Sequence, residues 1–287
     1  MFQQDLLSDK RVLITGGGTG LGRAMAEKFL QLGASVFICG RRGDVLTQAC
    51  EELAGATGGR IKSAVCDVRD RESVEQMVER LWADGAPNVL VNNAAGNFIA
   101  RTEELSPRAW EAVIGIVLSG TIHATLACAK RWIASGDSAT VLNISTTYAA
   151  AGTGSAFVVP SAVAKAGVQA LTTSLAVEWG PRGLRFNGIA PGPIPTQGAF
   201  SRLLPRQDLE EQAIRRNPMR RFGTVAEFAN LAAFVISDGC PYLNGETIIM
   251  DGGAWLLGAS GFGFLDEVLT DEDWHALRPK KQGTGDR

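Results

Sequence analysis

The stretch Lys-Arg-Val-Leu-Ile-Thr-Gly-Gly-Gly-Thr-Gly-Leu-Gly, residues 10–22, decides the fold. Its first six residues predict a short buried strand, its glycines predict a tight loop, and the amphipathic run 23–32 predicts a helix. Glycines let the backbone turn sharply beside a pyrophosphate, and the helix N-terminus offers unpaired N–H groups with a partial positive charge. A flexible turn is the alternative for a lone glycine loop. The order of elements instead predicts a dinucleotide site at Gly16, Gly18, Thr19, Gly20, Leu21 and Gly22.

Strand and helix signals alternate along most of the chain. The predicted strands are 10–15, 34–39, 61–66, 87–92, 139–144, 183–190 and 246–250. The predicted helices are 19–32, 43–54, 71–83, 106–117, 120–135, 161–180 and 224–237. Such alternation implies an α/β fold, a doubly wound (Rossmann) parallel sheet of about seven strands with helices on both faces. Ligands then bind outside the carboxyl ends of the strands, where the polar motifs of this chain fall.

We expect a single domain that spans residues 1–287. The one candidate boundary is the glycine-rich passage 252–263, which precedes an acidic tail containing Trp274. A module as short as 252–287 could hardly fold alone. We therefore interpret it as a C-terminal extension of the same domain, on the substrate side or in an oligomer interface.

Two arginines, Arg41 and Arg42, follow the second predicted strand. A cofactor without a 2′-phosphate usually meets an acidic residue here, and none occurs between Val36 and Arg42. Guanidinium groups bind a 2′-phosphate through charge-assisted and often bidentate hydrogen bonds. The pattern predicts NADP(H) as the cofactor, with a solvated basic turn as the alternative.

The bulk composition indicates one soluble enzyme. With 287 residues and a net charge of −2, the chain offers no electrostatic case for binding nucleic acid or an anionic membrane. We expect no stretch long and apolar enough to cross a bilayer, and no room for a signal peptide before the first strand. Five scattered cysteines predict reduced thiols and a cytoplasmic location. The two histidines share no metal-ligand spacing, so no metal is predicted, and His123 is expected on a packed helix.

Three motifs carry a family resemblance: Thr-Gly-x3-Gly-x-Gly at 15–22, Asn-Asn-Ala-Ala-Gly at 92–96 and Pro-Gly-Pro at 191–193. With this spacing the chain resembles the short-chain dehydrogenase/reductase family over residues 10–253. Ordinary members carry an asparagine on the long helix, and a tyrosine four residues before a lysine on a later helix. Here Val117 occupies the place of the asparagine, and Ser161 stands four residues before Lys165.

A narrower resemblance accounts for these departures. Asn-Ala-Ala-Gly-Asn-Phe at 93–98, Phe-Val-Val-Pro-Ser at 157–161 and Gly-Ala-Phe-Ser-Arg at 198–202 resemble the 2,4-dienoyl-CoA reductase branch. In that branch an upstream tyrosine and the asparagine before the phenylalanine bind the thioester carbonyl, which by position implies Tyr148 and Asn97. The stretch from Tyr148 to Phe157 is about two residues longer than in that branch.

The resemblance implies the site residues and the assembly. The catalytic residues would be Tyr148, Asn97, Ser161 and Lys165. Beyond the glycine loop, cofactor contacts would fall on Arg41, Arg42, Asp67, Asn93, Lys165, Pro191, Gly192, Pro193 and Ile194. Contacts with an acyl-CoA substrate would fall on Arg69, Phe98, Ser106 and Arg202. A homotetramer built through the helices at 120–135 and 161–180 is also implied. A packed loop aromatic is the alternative role for Tyr148, and a turn residue the alternative role for Asn97.

The absence of the usual tyrosine restricts the reaction. Reduction of a ketone needs an acid for the developing alkoxide, and a serine hydroxyl is far too weak. In a conjugated thioester, hydride adds to the distal alkene carbon and charge collects on the thioester oxygen, which needs donors such as Tyr148 and Asn97. We therefore predict NADPH-dependent reduction of a 2,4-dienoyl-CoA to an enoyl-CoA, an auxiliary step of fatty acid β-oxidation.

Two other classes of function stay open from the residues alone. One is a carbonyl reductase or alcohol dehydrogenase, such as a 3-oxoacyl thioester reductase, with Tyr148 as its acid. The other is a non-catalytic protein that keeps the nucleotide site, and the intact Lys165 and Asn97 argue against it.

Overall fold

Seven parallel strands form the sheet in the computed structural model, which describes residues 2–149, 152, 154–196, 207–257, 270, 272 and 273. The strands are β1 (Arg11–Thr15), β2 (Ser35–Gly40), β3 (Ile61–Val65), β4 (Val89–Asn92), β5 (Ala139–Ile144), β6 (Leu184–Pro191) and β7 (Thr247–Met250). The predicted strands lie within about two residues of these bounds. The predicted doubly wound α/β fold is therefore confirmed.

The strand order is β3-β2-β1-β4-β5-β6-β7, and every neighbouring pair is parallel. The chain runs outward from β1 to β3 and then returns to place β4 on the other side of β1. Loops that leave the carboxyl ends of β1 and β4 diverge at this reversal and leave a crevice between them. The glycine loop follows β1, and Asn93 to Asn97 follow β4, so both motifs border the crevice.

The sheet carries a hydrophobic core on each of its faces. Successive strand residues point to opposite faces, and Ile14 and Leu13 of β1 show the division. Ile14 packs with Met25, Phe29 and Phe228 on one face. Leu13 packs on the other face in a cluster that contains Trp132 and Phe186. Both strand residues are fully buried, which accounts for the continuous apolar runs of the central strands.

Helices cover both faces of the sheet. They are α1 (Gly20–Gln31), α2 (Gly43–Thr57), α3 (Arg71–Asp84), α4 (Pro107–Ile114), α5 (Gly120–Ser135), α6 (Val159–Trp179), α7 (Gln207–Arg216), α8 (Val225–Ile236) and the short α9 (Ala254–Leu257). Helix α4 begins as predicted, because Ser106 accepts a hydrogen bond from the backbone of Ala109 and Pro107 occupies the first turn. Helix α7 was not predicted, because its largely charged sequence lacks a broad apolar stripe.

The predicted break between the helices at 106–117 and 120–135 was wrong. A π-helical turn, Gly115–Ser119, joins α4 to α5, so one helix runs from Pro107 to Ser135. The expectation that no segment has the length and apolar character to cross a membrane was therefore also wrong for this helix, whose mean hydropathy reaches 1.8 over 18 residues. Half of that window is buried inside the protein, and core helices share these properties. By itself this is weak evidence for a membrane span.

All five cysteines are free thiols, as predicted. Cys39, Cys66 and Cys128 are buried, and the other two are partly buried. Burial among apolar neighbours raises the pKa of Cys128 to about 12, which keeps this thiol protonated and unreactive. The predicted helical position of His123 is confirmed on α5. His275 and Trp274 lie outside the described residues.

Candidate active site

A cleft of about 260 Å³ opens at the carboxyl ends of β1 to β4. Among the predicted cofactor residues, its walls include Gly16, Gly18, Thr19, Arg41, Arg42, Asp67 and Asn93. They come from the loops after four different strands, which the sheet order brings to one rim. The remaining walls are mostly backbone and apolar side chains, as a nucleotide cleft requires.

The glycine loop has the shape of a phosphate cradle. Gly16 and Gly20 have φ angles of +66° and +55°, where side chains are disfavoured. A Cβ on Gly22 would lie 2.4 Å from the carbonyl oxygen of Gly16, so only glycine permits this approach of helix and loop. Asn93 holds the loop, because its side-chain Nδ2 donates to the carbonyl oxygens of Thr15 at 3.0 Å and Gly16 at 3.1 Å.

The N-terminus of α1 is open toward the cleft. Its N-cap, Thr19, makes no side-chain cap hydrogen bond, and no acidic residue occupies the first helical turn. The unpaired backbone N–H groups and the helix dipole can therefore act on an anion. A dinucleotide pyrophosphate fits this donor set. Arg41 and Arg42 lie at the adjacent end of β2 with exposed side chains, in reach of the same cleft.

Asp67 and Arg69 pair with each other at the far wall of the cleft. The guanidinium Nε of Arg69 lies 3.0 Å from both carboxylate oxygens of Asp67, and its Nη2 donates to one of them. The hydrogen bonds from Arg69 hold the pKa of Asp67 below its ordinary value. Asp67 thus stays ionised beside the cleft. Arg69, which was predicted to contact the substrate, is hydrogen-bonded to Asp67 at this wall.

Three side chains meet at the ends of β4 and β5. The Nδ2 of Asn97 donates to the hydroxyl oxygen of Tyr148 at 3.1 Å, and that oxygen lies 3.1 Å from Oγ of Ser161. The backbone N–H of Phe98 donates to Oδ1 of Asn97 at 2.9 Å, so the amide group presents its N–H side to Tyr148. The structure therefore assembles three of the four predicted catalytic side chains into one hydrogen-bonded chain.

Lys165 lies one helical turn beyond Ser161, on the same face of α6. Its side chain is buried, with 7 % of the residue exposed, and its Nζ donates to the carbonyl oxygen of Ile144 at the end of β5. Burial lowers the pKa of Lys165 to about 8 because desolvation disfavours the ammonium form. The ammonium group is held beside the carboxyl end of β5, on the rim that carries Tyr148.

Further residues hold these loops in place. Gln169, one turn beyond Lys165, donates to Oγ of Ser145 at 3.0 Å, and the backbone N–H of Ser145 donates to Ile189 at 2.8 Å. Sequence reasoning missed Gln169, although its four-residue spacing from Lys165 places it on the same helix face. Ala100 donates its backbone N–H to the carbonyl oxygen of Phe157 at 3.0 Å, which joins the loop of Asn97 to the segment that leads into α6.

A buried amide network fixes the two strands that carry the site. The Nδ2 of Asn92 on β4 donates to Asn143 on β5 at 2.8 Å and to Thr125 on α5 at 3.0 Å. Asn143 in turn donates to the hydroxyl of Thr172 on α6 at 2.8 Å. Fully buried hydrogen bonds of this kind set strand register and helix position. The loops carrying Asn97 and Tyr148 therefore start from fixed points.

The loop after β6 lies at the same rim. Gly192 donates its backbone N–H to Met250 at 2.9 Å, and a Cβ there would lie 2.6 Å from Cβ of Asp251. The carbonyl oxygen of Pro193 accepts from Gly223, and the side chain of Ile194 is buried in the core. With Pro191, which ends β6, these are the predicted cofactor residues of the Pro-Gly-Pro motif.

The predicted substrate residues are only partly placed. Phe98 is partly buried and packs against a small core cluster that contains Val117 and Ala164. Ser106 caps α4 with its hydroxyl oxygen. Arg202 and the motif 198–202 lie outside the described residues.

Comparison with known proteins places this site in a family. A family model described as "Enoyl-(Acyl carrier protein) reductase" matches residues 16–254. The chain is 47% identical over 257 residues to a probable 2,4-dienoyl-CoA reductase 3 [(3E)-enoyl-CoA-producing] of Caenorhabditis elegans, covering 88% of this chain and 82% of the relative. It is 44% identical over 253 residues to a probable 2,4-dienoyl-CoA reductase [(2E)-enoyl-CoA-producing] of Bacillus subtilis, covering 87% and 98%.

Solved structures share the fold. A gluconate 5-dehydrogenase from Burkholderia cenocepacia, crystallised with NADP and tartrate, superposes with a TM-score of 0.81 at 28% identity. The match covers 88% of this chain and 97% of that one. An oxidoreductase fold that binds a nicotinamide cofactor therefore agrees with the cleft described above.

Proposed function

The chain belongs to the short-chain dehydrogenase/reductase family, in its 2,4-dienoyl-CoA reductase-like branch, and we propose that it reduces a 2,4-dienoyl-CoA to an enoyl-CoA with NADPH. The observation that carries the proposal is the hydrogen-bonded group of Asn97, Tyr148 and Ser161 beside Lys165. This group contains two hydrogen-bond donors, Asn97 and Tyr148. They lie next to Ser161, which stands where the family's usual tyrosine would be.

The geometry suits a thioester oxygen better than a ketone. A ketone oxygen must receive a proton as hydride arrives, and a buried ammonium close to a phenol promotes that transfer. Here Ser161 takes the position four residues before Lys165, while Tyr148 approaches from another loop and shares its hydroxyl with Asn97. Two converging donors stabilise a developing oxyanion without giving up a proton, which a dienolate requires.

The bound cofactor would supply the hydride. Asn97 and Tyr148 would donate hydrogen bonds to the thioester oxygen as negative charge develops on it, each donor being worth roughly 3–4 kcal/mol. Ser161 lies at hydrogen-bonding distance from Tyr148 and would hold its hydroxyl in place. Lys165 would hold the nicotinamide ribose and add positive potential. The proton that completes the reaction at carbon would come from water.

NADPH is the cofactor that the cleft favours. Arg41 and Arg42 lie at the end of β2, where a 2′-phosphate would sit, and the only acidic side chain that lines the described cleft, Asp67, is paired with Arg69. Guanidinium groups beside a dianionic phosphate form strong bonds. An NADP-containing structure among the relatives supports this choice.

A panel of thioesters and ketones tests the proposed function. Consumption of NADPH is followed by its absorbance with a 2,4-dienoyl-CoA, a 2-enoyl-CoA, a 3-oxoacyl thioester and simple ketones. We expect turnover with the dienoyl-CoA to exceed turnover with the ketones by orders of magnitude. Preference for the 3-oxoacyl thioester would make the enzyme a carbonyl reductase, and no turnover with any substrate would argue for a binding protein.

We also propose a homotetramer assembled through α5 and α6. Three apolar side chains on these helices are exposed in the single chain, namely Leu126, Val163 and Val177. Val177 is the most exposed of the three, at 80 %, and a partner helix packed on this face would remove its side chain from water. Light scattering on the purified protein should give a mass close to four times 30.4 kDa, and a monomeric mass would contradict this assembly.

A further inference from the structure

The loop that follows β3 forms one wall of the cofactor cleft. Asp67 and Val68 both line the cleft, and the side chain of Val68 is almost fully buried. Bonds within the loop tie it to α3, since the backbone N–H of Asp67 donates to Oγ of Ser73 and that of Asp70 donates to Asp67. A second set of contacts ties Val68 to the long helix on the opposite side.

Gly120, the first residue of α5, receives the side chain of Val68. A Cβ added to Gly120 would lie 2.6 Å from Cγ2 and 2.9 Å from Cβ of Val68. Distances below 3 Å do not occur between real side-chain carbons, so any larger residue would push Val68 away from the helix and change the cleft wall. The glycine therefore sets how closely the wall packs on α5.

His123 lies three residues further along α5 and holds the same loop residue by its backbone. The Nδ1 of His123 lies 3.0 Å from the carbonyl oxygen of Val68. Because a carbonyl oxygen can only accept, Nδ1 carries the proton and donates it. Residues three apart share a helix face, so Gly120 and His123 hold the side chain and the carbonyl of Val68 from one surface.

We propose that Gly120 and His123 act as positioning residues for the cofactor, by holding the Asp67–Val68 wall in register with the adenosine half of the dinucleotide. Neither residue lines the described cleft, so both would act on the cofactor through Val68. Their effect is on affinity, whereas the reacting end of the cofactor lies at Lys165 and Tyr148. The inference rests on the proposed NADPH site and is independent of the acyl substrate.

Two substitutions of His123 separate positioning from packing. His123→Leu places an apolar side chain of similar size on α5 and removes the hydrogen-bond donor. His123→Asn keeps a donor nitrogen at the place of Nδ1. Lys130→Ala, at an exposed position two turns further along α5, is the matched control.

The probes are NADPH and 2′,5′-ADP, which carries only the adenosine half, and binding is measured without any thioester. We expect His123→Leu to weaken both probes by about five- to tenfold, as for one lost hydrogen bond. We expect an unchanged kcat at saturating NADPH and an unchanged KM for the thioester. His123→Asn should return both affinities to within about twofold of wild type, and Lys130→Ala should change neither.

A Gly120→Ala variant gives an independent test of the same wall. It should weaken 2′,5′-ADP as well, because its new methyl group displaces Val68. If wild type, His123→Leu and Gly120→Ala bind both probes with equal affinity, Gly120 and His123 do not position the cofactor, and the proposed function is left intact. A fall in kcat as large as the fall in affinity would also overturn it. If the wild-type protein does not bind NADPH, both the proposed cofactor and the positioning role of Gly120 and His123 are wrong.

Discussion

The hydroxyl oxygen of Tyr148 lies 3.1 Å from the amide nitrogen of Asn97, although 51 positions separate these residues in the chain. They meet because β4 and β5 are neighbours in the sheet and the two loops leave the same rim. Neither residue occupies the position from which the family's ordinary tyrosine acts. In the proposed mechanism, Tyr148 and Asn97 donate hydrogen bonds to the thioester oxygen of the substrate.

Arg41→Ala should raise the KM for NADPH by about ten- to a hundredfold and leave the KM for NADH nearly unchanged. The loss corresponds to charge-assisted bonds to the 2′-phosphate, which NADH lacks. Steady-state kinetics with both cofactors measures the difference. Equal losses with NADPH and NADH would remove Arg41 from the 2′-phosphate site.

Lys165 should make the stability of the cofactor-free protein depend on alkaline pH. Its pKa is about 8 in the folded protein and 10.5 as the ordinary value, so between these values the unfolded chain binds more protons. Stability attributable to this residue is therefore present above pH 10.5 and lost as the pH falls through about 8. The difference amounts to about 3 kcal/mol.

Lys165→Met removes this titration while keeping a long side chain. Urea unfolding at pH 7 and pH 10 should show that wild type gains stability relative to Lys165→Met as the pH rises. A difference between the two proteins that stays constant from pH 7 to pH 10 would mean that Lys165 titrates normally. The same variant should also lose cofactor affinity and turnover, because it lacks the ammonium group.

Gly22→Ala should damage both stability and cofactor binding. Its methyl group would lie 2.4 Å from the carbonyl oxygen of Gly16, so the loop must move, at a cost of about 1–3 kcal/mol. Gly55→Ala is the matched control, because a Cβ there meets nothing within 4 Å. That substitution should stabilise α2 by up to about 1 kcal/mol. Urea unfolding and NADPH titration of both variants check this. If Gly22→Ala has the stability and the NADPH affinity of wild type, the glycine loop does not need glycine at this position.

Ser161 should matter less than Tyr148. Ser161→Ala removes one hydrogen-bond partner of the Tyr148 hydroxyl but neither proposed oxyanion donor, so we expect a fall in kcat of about tenfold or less. Ser161→Tyr restores the ordinary family pattern and should not improve dienoyl-CoA reduction, because the ring would fill the space of the thioester. Activity of Ser161→Tyr above wild type would show that the usual tyrosine position serves this reaction.

The sheet was predictable because its strands carry strong periodic signals. Apolar runs such as Val12 to Ile14 are buried on both faces, and alternation with helices leaves few alternative topologies. The prediction placed a break at residues 118–119 of the long helix, and this was wrong. Hydrophobic periodicity does not distinguish a π-helical turn from a break, and glycines such as Gly115 and Gly120 are compatible with both. Helix α7 carries too few apolar residues to show the hydrophobic periodicity that predicts a helix.

The site was predictable residue by residue but not in its contacts. The resemblance named Tyr148, but the sequence of the loop after β5 does not by itself fix where this side chain points. The roles of Gln169 and His123 depend on contacts with loops distant in the chain, for which helix spacing indicates only the face. The Asp67–Arg69 pair depends on the same kind of local geometry.

The most direct test of the account is the turnover of Tyr148→Phe with a 2,4-dienoyl-CoA. The change removes one oxygen atom and keeps the ring, so the fold should be preserved. If the hydroxyl stabilises the charge on the thioester oxygen, kcat should fall by about a hundredfold or more, while the Kd for NADPH stays near that of wild type. Full activity of Tyr148→Phe, together with loss of activity in Ser161→Ala, would contradict the assignment of Tyr148 and Asn97 as the oxyanion donors.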